Sequence, residues 1–317
     1  MYNFSIIIPH KNTPHLLQRC LDSIPRRDDL QIIVVDDNSD PKNVNFDQFP
    51  GLNDPNVTLI FTKENKGAGY ARNIGIQNAG GKWFLFADSD DFYNYCINTI
   101  LDDYTDSGKD IINFKFLAID CDLYISRDRC ARFNKYIDNY VSPNEKAEVS
   151  LRYRHSSVLS KMYKAELIKN NNITFDEVSI GNDITFAYLA GFHANSIGVD
   201  CRALYCTTVR QGSIRHKKKN KEMKLDEMYV NSKRYKFYRD NKIKVSPNIL
   251  RVNTMIISYF IDRDFFSNSM EILKNLKFSK SDILKMCLYC IFIYTPPQLI
   301  GKINSRMKKI IKKRATD

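Results

Sequence analysis

Three carboxylates stand within four residues in the stretch FLFADSDD, where Asp88, Asp90 and Asp91 follow an apolar run. Carboxylates this close repel one another, so ionising all three is costly. Two arrangements relieve that cost: the side chains cap the next helix and face water, or a cation lies between them. Since Mg²⁺ and Mn²⁺ prefer hard oxygen ligands, the stretch is a candidate site for a divalent metal.

Polar residues also follow two other apolar runs. Pro9 ends the run SIIIP, and Asp36 and Asp37 follow QIIVV. Short β-branched runs of this kind are typical of strands buried in a parallel sheet. Ligands bind beyond the carboxyl ends of such strands. We therefore expect these residues to meet the 88–91 cluster at one rim of a sheet. Helix capping alone would crowd several acidic turns there without compensation.

The elements that position this rim alternate between strand and helix patterns. Strands are predicted at 5–9, 31–35, 57–61, 82–87 and 110–118, and helices at 14–24 and 70–79. Thr13 and Pro14 open the first helix, and two glycines end the second. This alternation predicts an α/β fold with a mainly parallel sheet and helices on both faces.

Charge divides the chain into two parts. Residues 1–209 carry 22 Lys and Arg against 27 Asp and Glu, whereas residues 210–317 carry 26 against 9. The asymmetry indicates an anionic partner for the basic part, either nucleic acid or membrane, and a boundary near residue 210. Because the acidic first part would repel a phosphate backbone, we expect the membrane and no nucleic acid.

The tail at 298–317 has the pattern of a basic amphipathic helix. Its apolar residues recur every three or four positions with Lys and Arg between them: Leu299, Ile300, Ile303, Met307, Ile310 and Ile311. Such a helix suits an anionic bilayer surface, although a helix docked on the protein body would share the pattern.

Other features bear on location. The chain opens without the pattern of a secretory signal and holds no apolar run of about 18 residues. Its eight scattered cysteines fit free thiols in a reducing compartment. We expect a cytoplasmic protein associated peripherally with the inner face of the cell membrane.

Four motifs stand in a familiar order and spacing: SIIIPHKN, IIVVDDNSD, NKGAGYARNIGI and FLFADSDD. Together with SKMYKAELIKNNNITFDE, IGNDITFAYLAG and LYCTTVRQGSI, they make residues 4–214 resemble the family 2 inverting nucleotide-sugar glycosyltransferases, of the type that builds bacterial surface polysaccharides. The resemblance implies the GT-A fold, a Rossmann-like α/β arrangement, for a domain at 1–214. A basic helical region at 215–317 would follow it.

The resemblance also implies roles for particular positions. Those expected to bind the nucleotide sugar are Pro9, Asp36, Asp37, Arg72, Asp88 and Ser89. Pro9 would line the pocket, Asp37 would accept the N–H of the base with Asp36 nearby, and Arg72 would reach the base or the diphosphate.

The remaining roles concern the metal and the acceptor. Asp88 and Asp90 would hold Mn²⁺ or Mg²⁺ against the diphosphate, and Asp183 would be the general base. The family usually has a Glu-Asp pair there, whereas this chain has Asn182 before Asp183. In the basic run that follows, Arg215 and His216 either meet phosphates or the metal, or are simply solvated.

The expected activity is transfer of a sugar from a UDP-linked donor to a glycan or a lipid-linked acceptor. A sugar nucleotidyltransferase is an alternative, but it would need a GxGxR loop after the first strand, and PHKNTPH is not one. A nucleic-acid-binding protein is a second alternative, based on the basic C-terminal third. Retention of Asp88, Asp90 and Asp183 argues against a third, a catalytically inactive glycan-binding relative.

Overall fold

The structure is a computed structural model that describes residues 1–121, 125–126, 129–209, 218–245, 255, 258 and 262–285. By their internal contacts the residues form two compact units, Met1–Lys218 and Lys219–Asp317. Assignment of the two predicted domains to a catalytic and a membrane-associating role stays a prediction.

The first unit is built on one nine-stranded sheet. Its strands are β1 (Phe4–His10), β2 (Leu30–Asp37), β3 (Val57–Thr62), β4 (Trp83–Phe86), β5 (Phe92–Tyr93), β6 (Ile111–Asp120), β7 (Ile125–Ser126), β8 (Lys161–Lys164) and β9 (Ile197–Val209). They lie in the order β3-β2-β1-β4-β8-β6-β9-β5, with β7 paired to β6. Strands β3, β2, β1 and β4 are mutually parallel, while β8 is antiparallel to both of its neighbours. The predicted α/β class is confirmed.

Seven helices of the first unit are described. They are α1 (Pro14–Asp22), α2 (Ala68–Asn78), α3 (Ile97–Tyr104), α4 (Ala131–Tyr140), α5 (Glu145–Tyr153), α6 (Ala165–Asn170) and α7 (Asn182–His193). A short 3₁₀ turn spans Phe46–Gln48. The five predicted strands and both predicted helices are present with ends shifted by at most two residues. The strands β5, β7, β8 and β9 were not predicted.

Alternation along β1 explains why helices cover both faces of the sheet. Ile6 and Ile8 point into the core that α1 and α3 complete, whereas Ile7 points into the core beneath α2 and α7. Successive side chains of a strand face opposite ways, so a run that is apolar at every position needs cover on both sides.

The described part of the second unit is helical. It contains α8 (Lys221–Asp240) and α9 (Arg263–Asn275), and Met228 and Leu273 belong to a small core of its own. Among the residues described, none of the helices combines the length and apolarity needed to cross a bilayer. The basic tail at 298–317 lies outside the described residues.

Candidate functional site

The carboxyl ends of β2, β1 and β4 lie side by side at one rim of the sheet, because the three strands are parallel neighbours. In the register, Pro9 lies opposite Val35 and His10 opposite Asp36, and β2 ends at Asp37. The loop after β4 brings the 88–91 segment to the same rim. The structure therefore brings together the three segments that the sequence predicted to meet.

Asp36 belongs to a buried network that fixes the first loop of the rim. His10 Nε2 accepts a hydrogen bond from the backbone N–H of Thr13, so its Nδ1 carries the proton and donates to Asp36 Oδ1 at 2.7 Å. Ser39 donates to the same carboxylate through its N–H and its hydroxyl. Burial raises the pKa of Asp36, but these hydrogen bonds outweigh burial and hold the pKa below its ordinary value. With 2% exposure, Asp36 supports the loop.

Asp37 fastens the loop that leads into α2. Its Oδ1 accepts from the backbone N–H of Lys66 at 2.9 Å, and its Oδ2 accepts from that of Gly67 at 2.8 Å. Lys11 Nζ lies 3.9 Å from the same Oδ2. Each carboxylate oxygen can accept more than one hydrogen bond, so these contacts are compatible with a further donor. Recognition of a base by Asp37 stays a prediction.

The acidic cluster predicted from the sequence forms as a group. Asp88, Asp90 and Asp91 each offer a carboxylate oxygen, and these oxygens lie within 4.8 Å of one another. Asp91 is buried, and burial together with the charges of Asp88 and Asp90 raises its pKa well above the ordinary value. Asp88 and Asp90 are the predicted metal ligands, and the structure places a carboxylate oxygen of Asp91 beside them. Ser89 lies between the two ligands, half-buried.

Residues far along the chain hold this acidic loop in place. The backbone carbonyl of Asp90 accepts from Arg19 Nη2 at 2.5 Å and from the Thr208 hydroxyl at 2.7 Å. The backbone N–H of Thr208 also donates to Asp91 Oδ1 at 2.7 Å. The N–H of Asp88 donates to the Tyr205 hydroxyl. These supports are not predictable from the sequence, because no local pattern connects β9 to the loop after β4.

Arg72 bridges the acidic loop and the start of α7. Its Nη2 lies 2.5 Å from Asp88 Oδ1, and its Nη1 donates to Asn182 Oδ1 at 2.9 Å. The guanidinium packs over the Phe175 ring at 5.2 Å, and the residue is 5% exposed. The expectation that Arg72 reaches the nucleotide is untested. What the structure shows is a buried link between Asp88 and Asn182.

The same face of α2 holds the segment that leads into α7. Asn73 makes two hydrogen bonds with the backbone of Phe175, one in each direction, at 3.1 and 2.8 Å. A Cβ atom at Gly69 would lie 2.1 Å from the carbonyl oxygen of Asp176, so only glycine allows this approach. Gly69 therefore serves packing, whereas Gly67, with φ +90°, provides a backbone conformation that favours glycine.

Gly69→Ala is expected to lower the free energy of unfolding by about 1–3 kcal/mol, the usual cost of overpacking. The added methyl group must displace the carbonyl of Asp176, because backbone cannot rotate away as a side chain can. Denaturant unfolding would measure the change. Gly108→Ala is the control, since no atom lies within 4 Å of its Cβ position. Equal stability of the two variants would contradict the close approach.

Asp183 lies in the first turn of α7 and is half-buried. Burial lowers the pKa of Lys161 to about 7, and the negative charge of Asp183 opposes that shift, which places the carboxylate within electrostatic reach. Asp176 is a buried acidic residue before α7. Its carboxylate accepts a hydrogen bond from the Thr185 hydroxyl, and its backbone N–H donates to the carbonyl of Asn182. Asp176 thus anchors the loop that presents Asp183.

Taken together, the rim offers two chemical capacities. The oxygen atoms of the acidic cluster are a fitting donor set for Mg²⁺ or Mn²⁺. Burial and the charges of Asp88 and Asp90 raise the pKa of Asp91, and a bound cation would compensate those charges. Asp183, which follows the Arg72 partner Asn182 in the first turn of α7, is a carboxylate that could take a proton. Arg215 and His216 lie outside the described residues.

Comparison with known proteins adds a family match. The family model described as "Glycosyl transferase family 2" matches residues 5–167, about half of the chain. The poly(ribitol-phosphate) beta-N-acetylglucosaminyltransferase TarS of Staphylococcus aureus is 25% identical over 225 residues, which is 67% of this chain and 36% of TarS. A poly(ribitol-phosphate) beta-glucosyltransferase of Bacillus spizizenii is 27% identical over 216 residues, 65% of this chain and 32% of the relative. The chain thus spans about a third of the length of these relatives.

Solved structures show a likeness of fold. The crystal structure of S. aureus TarS 1-349 in complex with UDP-GlcNAc has a TM-score of 0.61 at 20% identity, covering 87% of this chain and 80% of that one. The mannosyltransferase PcManGT from Pyrobaculum calidifontis, in complex with GDP-Man and Mn²⁺, has a TM-score of 0.52 at 13% identity, covering 97% of this chain and 86% of that one. The GT-A type of α/β fold is therefore confirmed.

Proposed function

This chain belongs to glycosyl transferase family 2, and from that premise we propose that it is an inverting, metal-dependent glycosyltransferase. The donor would be a UDP-linked sugar, and the acceptor a glycan or lipid-linked saccharide of a surface polysaccharide. The observation that carries the proposal is the acidic cluster of Asp88, Asp90 and Asp91 after β4, with Arg72 linking Asp88 to Asn182, the residue before Asp183. The two relatives, named as poly(ribitol-phosphate) glycosyltransferases, support this assignment.

On the donor side, Asp88 and Asp90 would hold Mn²⁺ or Mg²⁺, with Asp91 as the third carboxylate. The bound cation would supply Lewis-acid stabilisation of the negative charge on the departing diphosphate. Asp37 would accept the N–H of the base, beside Pro9. Asp36 supports this pocket from beneath through its hydrogen bonds to His10 and Ser39.

On the acceptor side, Asp183 would act as the general base. Its carboxylate takes the proton from the acceptor hydroxyl as that oxygen forms a bond to the anomeric carbon. The bond from the same carbon to the diphosphate oxygen breaks, and its electron pair leaves with the nucleoside diphosphate. Attack opposite the leaving group inverts the configuration at that carbon.

Slow donor hydrolysis tests the proposal without knowledge of the acceptor. UDP-, GDP- and dTDP-linked sugars would each be incubated with the full chain and Mn²⁺, and release of nucleoside diphosphate would be measured. We expect release from a UDP-sugar above the rate without protein and none in EDTA. No release from any of the three donors would contradict a nucleotide-sugar transferase.

We also propose that the protein works at the cytoplasmic face of the membrane, held there by its tail. An acceptor carried on a lipid is confined to the bilayer, so residence there raises the frequency of encounter. Residues 302–314 include seven Lys and Arg, at 302, 306, 308, 309, 312, 313 and 314. Each contributes on the order of 1 kcal/mol near an anionic surface, and salt screens that attraction.

Deletion of residues 298–317 is expected to release the protein from anionic vesicles while donor hydrolysis stays nearly unchanged. High salt should release the intact chain only in part, because the apolar residues of the tail keep their contacts when charges are screened. Vesicle sedimentation measures both effects, with neutral vesicles as the control. If the shortened chain sediments as fully as the intact one, attachment lies elsewhere.

A further inference from the structure

The guanidinium of Arg72 lies between Asp88 and Asn182. The side chain of Arg72 is 6% exposed, and it donates from one Nη to Asp88 and from the other to Asn182. Asp88 keeps 36% of its side chain exposed. Of the two partners of Arg72, only Asp88 carries charge, since an amide oxygen accepts a hydrogen bond without neutralising the donor.

We propose that Arg72, whose second partner Asn182 is neutral, offsets the charge of Asp88, so that the acidic cluster binds a bare divalent cation weakly and a cation with a nucleoside diphosphate tightly. This inference rests on the cation site of the proposed function. It assigns Arg72 and Asn182 as positioning residues that set when the cation binds.

The electrostatic reason is the balance of charge around Asp88. A guanidinium 2.5 Å from a carboxylate offsets much of the charge that would attract a second cation. A nucleoside diphosphate brings several negative charges, which both the guanidinium and the divalent cation attract. Arg72 therefore weakens binding of the divalent cation alone, and weakens it less when the diphosphate is bound as well.

The packing of α2 keeps Arg72 in this place. Asn73 is hydrogen-bonded in both directions to the backbone of Phe175, and the Phe175 ring lies against the guanidinium. A Cβ atom added at Gly69 would lie 3.1 Å from the Cβ of Asn182, so α2 approaches the start of α7 closely here. Because both ends of the bridge are fixed, a change of charge at residue 182 alters electrostatics more than geometry.

Asn182→Asp is the sharpest test, because it adds one negative charge with almost no change in shape. Binding of Mn²⁺ to the full chain would be measured by calorimetric titration without nucleotide and with saturating UDP. We expect Asn182→Asp to bind bare Mn²⁺ on the order of tenfold more tightly, and the gain in affinity caused by UDP to shrink by a similar factor. Asn53→Asp, an exposed position before β3 at the opposite rim, is the charge control and should change neither value.

Two substitutions at Arg72 separate charge from structure. Arg72→Lys keeps the charge but cannot span both partners, so it should bind bare Mn²⁺ as weakly as the natural chain. Arg72→Gln removes the charge and should bind bare Mn²⁺ more tightly. Equal behaviour of the two variants would show that the loss of the bridge, and not of its charge, determines the affinity, and would overturn the proposal.

The remaining outcomes are also decisive. If the natural chain binds Mn²⁺ in the presence of UDP but Asn182→Asp leaves both affinities unchanged, the inference fails while the metal-dependent function stands. If the natural chain binds no Mn²⁺ even with UDP, the cation site fails, and this inference fails with it.

Discussion

Asp183→Asn is expected to lower turnover by about 10²–10⁴, the usual contribution of a positioned general base, while donor binding is retained. The amide has the same shape as the carboxylate but cannot take the proton from the acceptor hydroxyl. Asp183 is not one of the three clustered carboxylates; Asp183 follows Asn182, which accepts a hydrogen bond from Arg72. Steady-state transfer rates and direct titration of the donor would measure the two effects separately.

Glu177 provides the matched control, because it is an exposed acidic residue in the loop that precedes α7. Glu177→Gln should leave turnover unchanged. Asp176 is less suited to act as the general base, since its carboxylate is buried and already accepts a hydrogen bond from the Thr185 hydroxyl. A normal rate for Asp183→Asn at saturating substrates, with a low rate for Glu177→Gln, would move the base to Glu177.

Asp90→Ala is expected to abolish the metal-dependent part of nucleotide-sugar binding without unfolding the protein. The contacts that hold the loop use the backbone carbonyl of Asp90, which accepts from Arg19 and Thr208, and alanine keeps that carbonyl. The carboxylate lost is one of the three that cluster after β4. Titration of the donor with and without Mn²⁺ measures the effect, and circular dichroism checks the fold.

Chelation of the natural chain should have the same consequence. EDTA is expected to reduce transfer by about 10²-fold or more, and added Mn²⁺ or Mg²⁺ to restore it, since Lewis-acid stabilisation of a leaving group contributes several kcal/mol. Asp106→Ala, at an exposed position in another loop, controls for loss of a carboxylate and should stay fully active. Full activity in EDTA would falsify metal dependence.

Many features of the rim were predictable because they depend on local patterns. Unbroken β-branched runs predict buried strands, and parallel strands place the residues that follow them at one edge. Strand positions and a parallel strand order were enough to predict that Asp36, Asp37 and the 88–91 cluster lie at one edge of the sheet. The prediction that Asp183 is the general base came instead from resemblance to a family, since nothing in its sequence neighbourhood distinguishes Asp183 from a helix-capping aspartate.

What each acidic residue contacts was decided by tertiary structure. Asp36 and Asp37 are adjacent, yet one is turned inward to His10 and Ser39 and the other to the backbone before α2. Alternation in a strand predicts that the two side chains face opposite ways, but the partners come from other segments. Hydrophobic periodicity does not predict which polar groups lie on each face of the strand.

The sequence by itself determined the α/β class, the strands that carry the rim and the acidic cluster after β4. Tertiary structure alone decided that Arg72 joins Asp88 to Asn182, although Asn182 lies 110 residues after Arg72 in the chain. It also decided that Arg19 and Thr208 hold the carbonyl of Asp90 from α1 and β9. The physical reason is that strand and helix patterns arise from neighbours a few residues apart. A hydrogen bond between distant segments depends on how whole layers pack, and here on a glycine at position 69 that lets α2 approach the loop before α7.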